Sequence, residues 1–331
     1  MSEHHRGLEP QRFDRARVKS AVRHALSAGK LISIPTRVEW LEDRGTSFAV
    51  RMTTQLARKA AAAPSVFSVP SVANSSISKP SAADSVSPSS VARPNPFQPY
   101  DEDLFVAELG PRHVALLNKF NVVDDHVLIV TRDFERQQSP LTVDDFAALL
   151  EAWRGFHGLA FYNGGPAAGA SQPHKHLQLI PWERPTDSPA LPLDDWLAGD
   201  EDRIASWNFT HAVGRWGRDA TSTSEVSRES FDISATALHS LYCALLERCG
   251  LAPASPDDDI APYNLLALPG VMVVVRRRCE CFFDISLNSM AFAGGLLVKD
   301  DRQLELLRQH GPWSALEAVA VSLRRDERDL T

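Results

Sequence analysis

Two histidines and a glutamine lie at alternate positions of one short segment, at His174, His176 and Gln178. Successive side chains of a β-strand point to opposite faces, so this spacing places all three polar side chains on one face. Leu177 and Leu179 would then point to the other face. The pattern predicts a strand with one chemically active face and one face that packs into the core.

A neutral imidazole can act as a nucleophile near neutral pH, because its usual pKa of about 6.5 leaves most of it unprotonated. Attack on phosphorus would form a phosphohistidine-type adduct and divide one displacement into two steps. The preceding segment favours a phosphate ligand, because glycines let backbone N–H groups approach an anion and polar side chains add donors. These residues are Gly164, Gly165, Gly169, Ser171 and Gln172. The segment therefore predicts a site for a polyphosphate.

Two other interpretations of the histidine pair are open. Imidazole is the commonest metal ligand among side chains and suits zinc, but no third Cys, His or carboxylate follows until Glu183. Two isolated histidines could also be structural. The glycine-rich turn, together with the alternating polar side chains, favours a chemical role over both.

The run Asn163-Gly164-Gly165, followed by GASQPHKHLQ at 169–178, resembles the signature of the diadenosine tetraphosphate phosphorylases. This family, also called ATP adenylyltransferases, belongs to the histidine-triad superfamily. The resemblance implies that His176, the middle position, is the nucleophile that becomes adenylylated. Gln178 stands at the third position, as in this family and in the hexose-1-phosphate uridylyltransferases, whereas the hydrolase branch has a histidine. Glutamine cannot act as acid or base at neutral pH, so the triad favours transfer over hydrolysis.

The resemblance also implies a set of residues that bind the nucleotide. They are Lys59, Asn118, Lys119, Asn163, Gly164, Gly169, Ala170, Ser171, Gln172, His174, Gln178, Asn288, Ser289, Gly295 and Lys299. From local sequence, Lys59 and Lys119 could instead be solvated charges, and Asn118 could cap a turn. The chain departs from the family at Met290 and Ala291, where Leu-Gly is usual. Loss of that glycine could restrict the following turn.

The implied reaction is a nucleotidyl transfer. His176 attacks the α-phosphorus of diadenosine tetraphosphate and expels ATP, then inorganic phosphate takes the adenylyl group and ADP leaves; the reverse makes the dinucleotide. The alternatives are a dinucleoside polyphosphate hydrolase, a uridylyltransferase or a nucleotide-binding sensor on the same fold. We expect a divalent cation, Mg²⁺, to accompany the nucleotide without a protein-bound metal site. The acidic run at 257–259 could hold an ion, but such runs usually form solvated loops.

The composition excludes other classes of partner. The chain has 331 residues, 44% hydrophobic and 23% charged, and a formal net charge of -7, which argues against binding to a nucleic-acid polymer. The four cysteines match no familiar zinc spacing and indicate reduced thiols, as in a cytoplasmic or nuclear protein. The sequence shows no secretory signal and no apolar run of about 20 residues, so we expect no membrane contact. We expect a monomer.

Hydrophobic periodicity predicts an α+β fold with an antiparallel sheet and flanking helices. The resemblance implies that this sheet is histidine-triad-like and that 1–331 form one catalytic domain. Helices are expected at 13–28, after the N-cap Thr142, and at 231–248; strands at 31–36, 46–53, 104–108, 114–118 and 126–131; and a buried hairpin at 265–275. The arginines at 276–278 could face phosphate or solvent. Residues 65–92 are mostly Ser, Ala, Val and Pro, which predicts a mobile insertion within the domain.

Overall fold

The computed structural model describes residues 12–53, 94–182, 188–198, 201–217, 233–253, 255 and 258–323. Lys59, the expected insertion at 65–92, the first residues of the helix expected at 231 and Asp257 lie outside these ranges. Among the described residues, no helix is both long enough and apolar enough to span a bilayer.

The described residues form seven α-helices and thirteen β-strands. The helices are α1 (Arg15–Ser27), α2 (Val143–Gly155), α3 (Pro192–Ala198), α4 (Ala235–Arg248), α5 (Ser289–Phe292), α6 (Asp301–His310) and α7 (Pro312–Val319). The strands are β1 (Thr36–Asp43), β2 (Thr46–Thr53), β3 (Phe105–Leu109), β4 (His113–Leu117), β5 (Val127–Thr131), β6 (Gly158–Gly164), β7 (His176–Pro181), β8 (His211–Arg215), β9 (Tyr263–Leu268), β10 (Val271–Arg276), β11 (Cys281–Phe282), β12 (Ile285–Ser286) and β13 (Gly295–Val298).

Eight of the strands form a central sheet in the order β3-β4-β5-β7-β6-β9-β10-β8, and every neighbouring pair is antiparallel. A second sheet has the order β1-β2-β13, with β13 parallel to β2. The strands β11 and β12 form a short hairpin. The arrangement confirms the expected α+β fold with an antiparallel sheet and flanking helices.

The first face of the central sheet packs against α1, α2 and α4 in one large apolar cluster, to which β7 contributes Leu177 and Leu179. The helix α2 begins at the predicted N-cap: the Thr142 side chain accepts from the backbone of Asp145, whose carboxylate accepts in return from the Thr142 backbone. Burial of this face confirms the predicted alternation along β7.

The second face has two separate covers. Over β4 and β5, a small cluster around Leu116 and Leu128 packs under Phe97 and Tyr100. Over β6, β9 and β10, a larger cluster joins the sheet to β2, β13 and α3, α5, α6 and α7. The strand β7 lies between β5 and β6 in the order of the sheet, so its polar side chains lie between the two covers, in a region that we call the groove.

Most of the predicted elements are present, with one exception. The strand expected at 46–53 is β2, and the buried hairpin is β9 and β10, joined at Pro269-Gly270. The strand expected at 31–36 is wrong, because β1 begins at Thr36. Residues before Thr36 instead form two backbone hydrogen bonds with the loop after β4, from Ile32 to Lys119 and from Ile34 to Asn121, both at 2.8 Å.

Candidate active site

A glutamine inserted between two strands places His176 beside Asn163. The β6–β7 ladder ends at the pair Phe161 and Gln178. Beyond it, Gln137 Oε1 accepts from the His176 backbone N–H at 2.9 Å, and its Nε2 donates to the carbonyl oxygens of Asn163 at 3.0 Å and His176 at 3.2 Å. Gln137 is buried. His176 and Asn163 therefore lie on neighbouring strands at the same end of the groove.

The His176 imidazole is held in one tautomer. Its Nδ1 is 2.8 Å from the carbonyl oxygen of His174, and a carbonyl can only accept, so Nδ1 carries the proton. Within the described part of the chain, Nε2 has no hydrogen-bond partner, and its lone pair is available for attack. Burial lowers the pKa of His176 to about 4, so the ring is neutral at pH 7.

The His174 imidazole, in contrast, is bonded at both nitrogens. Nε2 donates to the carbonyl oxygen of Thr131 at 2.8 Å, and Nδ1 accepts from the Asn95 amide at 2.9 Å. The ring is fully buried, with Phe97 edge-on at 5.5 Å between centroids, and burial lowers its pKa. His174 therefore acts on His176 through its backbone carbonyl, while its side chain holds the surrounding loops.

A chain of three side chains sets the direction of the Gln178 amide. The Phe120 backbone N–H can only donate, and it donates to Asn118 Oδ1 at 3.3 Å. The Asn118 amide nitrogen then donates to His126 Nδ1 at 3.2 Å, so His126 Nε2 carries the proton and donates to Gln178 Oε1 at 3.0 Å. Burial lowers the pKa of His126 to about 4. The NH₂ group of Gln178 remains as a donor toward the groove.

The glycine-rich turn packs closely against the loop before α5. Gly169 has a φ of 87°, and a Cβ there would lie 2.8 Å from the carbonyl oxygen of Leu287 and from the Asn288 side chain. A Cβ on Gly164 would meet the Tyr263 ring at 2.5 Å. Glycine is therefore required at both positions, and Gly169 brings the turn against Asn288.

The backbone N–H groups of this turn do not all face the groove. Those of Gly169 and Ala170 donate within the turn, to the carbonyl oxygens of Pro166 at 2.9 Å and Gly165 at 3.2 Å. Both residues were expected to bind the nucleotide. Their backbone N–H groups are already used inside the turn and are not directed toward a phosphoryl oxygen. Ser171 is exposed at the end of the turn, and Gln172 follows it half-buried.

Among the described residues, three of the predicted nucleotide-binding residues form no hydrogen bond with His174, His176 or Gln178. Lys119 is exposed, with its Nζ 5.7 Å from the Phe120 ring centroid. Lys299 is exposed, and its backbone N–H donates to Gln303. Gly295 is half-buried beside Met290. Their roles stay predictions.

Ala291 was expected to restrict the following turn, but it lies outside that turn. It lies inside α5, and the positive φ of 95° belongs to Gly294. The departure from the family pattern thus falls where alanine is well accommodated.

The acidic loop provides no cluster of metal ligands in the part that is described. Asp258 and Asp259 are exposed, and Asp259 pairs with Arg136 at 3.2 Å. Across the described residues, no three His, Cys, Asp or Glu side chains converge in a way that could hold a metal ion.

Sequence reasoning missed several residues of the site, among them His126, Gln137, Asn264 and Arg277. A period of two places His126 on the same strand face as Leu128 and Val130, which is a usable signal, but the pairing of β5 with β7 is not written in the sequence. Gln137 comes from a loop and had no signal at all. Of the three arginines, Arg277 is buried rather than facing solvent.

Comparisons with known proteins agree with this architecture. Residues 3–199 match the Ap4A phosphorylase N-terminal domain, and residues 205–322 match the ATP adenylyltransferase C-terminal domain. Diadenosine 5',5'''-P1,P4-tetraphosphate phosphorylase 2 of Saccharomyces cerevisiae is 29% identical over 237 residues, covering 65% of this chain and 72% of the yeast protein. Protein APA1 of the same yeast is 36% identical over 235 residues, covering 62% and 68%.

The fold is similar to crystal structures of yeast Ap4A phosphorylase Apa2. The complex with AMP has a TM-score of 0.68 at 24% identity, over 94% of this chain and 97% of that chain. The complex with Ap4A has a TM-score of 0.67 at 24% identity, over 95% and 99%.

Proposed function

Because the chain belongs to the Ap4A phosphorylase family, we propose that it transfers the adenylyl group of diadenosine tetraphosphate to inorganic phosphate through a covalent adenylyl-His176. The products are ATP and ADP, and the reverse reaction forms the dinucleotide. The observation that supports this most is the His176 ring itself: Nδ1 is bonded to a carbonyl, and Nε2 has no hydrogen-bond partner among the residues that the structure describes. The neighbouring imidazoles of His126 and His174 are bonded at both nitrogens.

In the first step, the lone pair of His176 Nε2 attacks the α-phosphorus. The P–N bond forms, the bond to the bridging oxygen of the β-phosphate breaks, and ATP leaves with that electron pair. The ring keeps its proton on Nδ1 and becomes cationic. The carbonyl oxygen of His174, already 2.8 Å from Nδ1, stabilises this charge.

Two amide groups are placed to stabilise the phosphoryl oxygens as charge grows on them. The Gln178 oxygen accepts from His126, and the Asn163 oxygen accepts from Asn264 and Ser289, so both NH₂ groups remain available. Fixed donors of this kind need no reorganisation during the reaction. Ser171 and Gln172 are further donors for the rest of the polyphosphate.

In the second step, an oxygen of inorganic phosphate attacks the adenylyl phosphorus and the P–N bond breaks. Inorganic phosphate is already ionised at pH 7, so the attacking oxygen needs no base. Water, with a pKa of about 15.7, would need a base. His126 and His174 have no nitrogen free for that role, which favours phosphate over water.

We also propose that Mg²⁺ enters with the polyphosphate. The site offers neutral amides and an imidazole, which are poor ligands for a hard cation that prefers carboxylate and phosphate oxygens. Bound to the substrate, the ion would neutralise charge on the leaving polyphosphate.

Product analysis tests this proposal. Purified protein is incubated with diadenosine tetraphosphate and Mg²⁺, with and without inorganic phosphate, beside a His176→Ala variant. We expect ATP and ADP to appear catalytically only with phosphate and only in the unmodified protein. ATP and AMP formed without phosphate would make the protein a hydrolase. No product, with binding retained, would make it a nucleotide-binding protein.

A further inference from the structure

Arg277, the residue after β10, is a buried cation that forms no ion pair in the described part of the chain. Its Nε donates to the carbonyl oxygen of Val319 at 3.2 Å, its Nη2 to that of Leu287 at 2.9 Å, and its Nη1 to Asn264 Oδ1. Burial lowers the pKa of Arg277 to about 10, so it stays charged at neutral pH. Burial of a charge without an ion pair is unfavourable, so the Arg277 guanidinium depends on the oxygen atoms that accept its hydrogen bonds, and Asn264 Oδ1 is the side-chain oxygen among them.

The guanidinium sets the direction of two amides in turn. Arginine can only donate, so Asn264 must present its oxygen to Arg277 and its nitrogen to the other side. That nitrogen donates to Asn163 Oδ1 at 3.0 Å. Asn163 Oδ1 also accepts from the backbone N–H of Ser289 at 2.9 Å. The Ser289 hydroxyl lies 2.7 Å from Asn163 Oδ1 and 2.8 Å from the carbonyl oxygen of Tyr162, so these two acceptors share its one proton. The orientation of the Asn163 amide is therefore fixed, and its NH₂ group remains available as a hydrogen-bond donor.

The same residues hold the glycine-rich turn. Asn264 Nδ2 also donates to the carbonyl oxygen of Ala168 at 2.9 Å, inside the turn. The Leu287 carbonyl, which accepts from Arg277, is the atom against which Gly169 packs. Arg277 thus contacts both supports of the phosphate-binding segment, although its side chain does not reach the groove.

We infer that Arg277 and Asn264 are positioning residues for adenylyl transfer, which fix the Asn163 amide with its nitrogen directed toward the α-phosphate at His176. Asn163 lies beside His176 across the bridge formed by Gln137, so its NH₂ group is within the same end of the groove. This inference rests on the proposed function and extends it to two residues that do not touch the substrate.

The variant Asn264→Asp separates positioning from folding. Its carboxylate keeps the shape of the side chain and gives Arg277 an ion pair, which offsets the loss of the hydrogen bond to the Ala168 carbonyl, so we expect the variant to fold. It also replaces the Nδ2 donor with an oxygen that faces Asn163 Oδ1, so the Asn163 amide must turn or move. We expect kcat to fall about 100- to 1,000-fold, as for loss of one oxyanion donor, with a much smaller change in KM.

The exposed neighbour provides the matched control: Arg278→Gln should leave kcat and KM unchanged. If Asn264→Asp does not fold, Asn264→Ser removes the same donor without a charge. If neither folds, Ser289→Ala, which removes one donor to Asn163 Oδ1, should lower kcat at an unchanged melting temperature. If a folded Asn264 variant keeps the wild-type kcat, the inference is overturned, although phosphorolysis by the wild type stands. If no Asn264 variant folds, a wild-type kcat in Ser289→Ala overturns it in the same way. A wild type that forms no ATP and ADP overturns the proposed function, and this inference with it.

Discussion

Lys175 and His176 are adjacent in sequence, yet their side chains lie on opposite faces of one extended segment and in opposite kinds of surroundings. Behind the segment, the Lys175 ammonium lies 2.8 Å from carboxylate oxygens of both Glu135 and Asp145. Asp145 is also 2.8 Å from His113 Nε2. On the opposite face, His176 lies with the neutral amides of Gln178 and Asn163 and the neutral imidazole of His126.

The difference shows how the protein prepares for an anionic substrate. Behind the strand, burial alone would raise the pKa of Asp145, but the hydrogen bond from His113 and the charge of Lys175 outweigh it and lower that pKa to about 2. The charges there are satisfied within the protein. On the His176 side, the oxygens of Gln178 and Asn163 are engaged and their NH₂ groups are not, so in the proposed reaction the polyphosphate would supply the acceptors.

The largest predicted effect concerns the face behind the strand. Lys175→Met leaves Asp145 buried without its cation, and we expect the free energy of unfolding to fall by about 3–5 kcal/mol, measured by urea denaturation. The adenylyl-transfer rate of the molecules that remain folded should change far less. Arg302→Met is the control, because its partner Asp284 is at the surface, and it should cost at most about 1 kcal/mol. Equal losses in the two variants would contradict the account.

The second prediction concerns the front face. His126→Leu removes the donor that fixes the Gln178 oxygen, and we expect kcat to fall about 10- to 100-fold because the amide no longer presents its NH₂ group consistently. The melting temperature should change little, since a half-buried neutral ring is exchanged for an apolar side chain. His24→Leu makes the same substitution at an exposed histidine and should have no effect on kcat. Wild-type kcat in folded His126→Leu would remove Gln178 orientation from the mechanism.

The pH dependence sharpens the contrast further. Since the pKa of His176 is lowered to about 4, its neutral form predominates above that value, and the single-turnover adenylylation rate should be flat between pH 6 and 8 as far as this group decides it. The rate should fall toward lower pH with a midpoint near 4. A midpoint near the usual 6.5 would mean that the ring is not desolvated in the active protein.

Buried histidines also make the folded protein less stable at low pH, which limits the pH range of that experiment. The unfolded chain binds protons at these rings near pH 6.5, whereas His126, His176 and His211 in the folded protein bind them near 4. The unfolded state therefore binds more protons between these values, and the free energy of unfolding falls as the pH drops from 6.5 to 4. Tryptophan fluorescence at each pH identifies the range in which the protein is folded.

The smallest predicted effect is at Ala291, next to the site but on neither face of the strand. Ala291→Gly restores the usual family residue inside α5, where glycine is a weaker helix former, and should cost at most about 1 kcal/mol of stability. KM and kcat should not change. A large gain in activity would mean that the turn at Gly294 is restricted after all.

Local patterns predicted the parts of the fold that depend on neighbouring residues in sequence. The alternation of His176 and Gln178 with Leu177 gave the two faces of β7 correctly, and the Thr142 cap gave the start of α2. The segment at 31–36 failed because its extended backbone bonds to a distant loop, at Lys119, rather than to a strand.

The support of the site could not be predicted in the same way, because it depends on long-range pairing. His126 reaches Gln178 only because β5 lies beside β7, 52 residues away. Arg277 was expected to face phosphate or solvent, and it is buried because its guanidinium donates to the carbonyl oxygens of Leu287 and Val319, which are distant in sequence. The His174 ring could not be distinguished from a catalytic imidazole until Thr131 and Asn95 were placed.

The most direct test of the central claim is the mass of the intact protein after incubation with diadenosine tetraphosphate in the absence of inorganic phosphate. The account predicts that the mass rises by one adenylyl group, that the label lies on His176, and that added phosphate removes it with release of ADP. A His176→Ala protein should remain unlabelled. An unlabelled wild type that still forms ATP and ADP, or a label on another residue, would contradict the covalent mechanism.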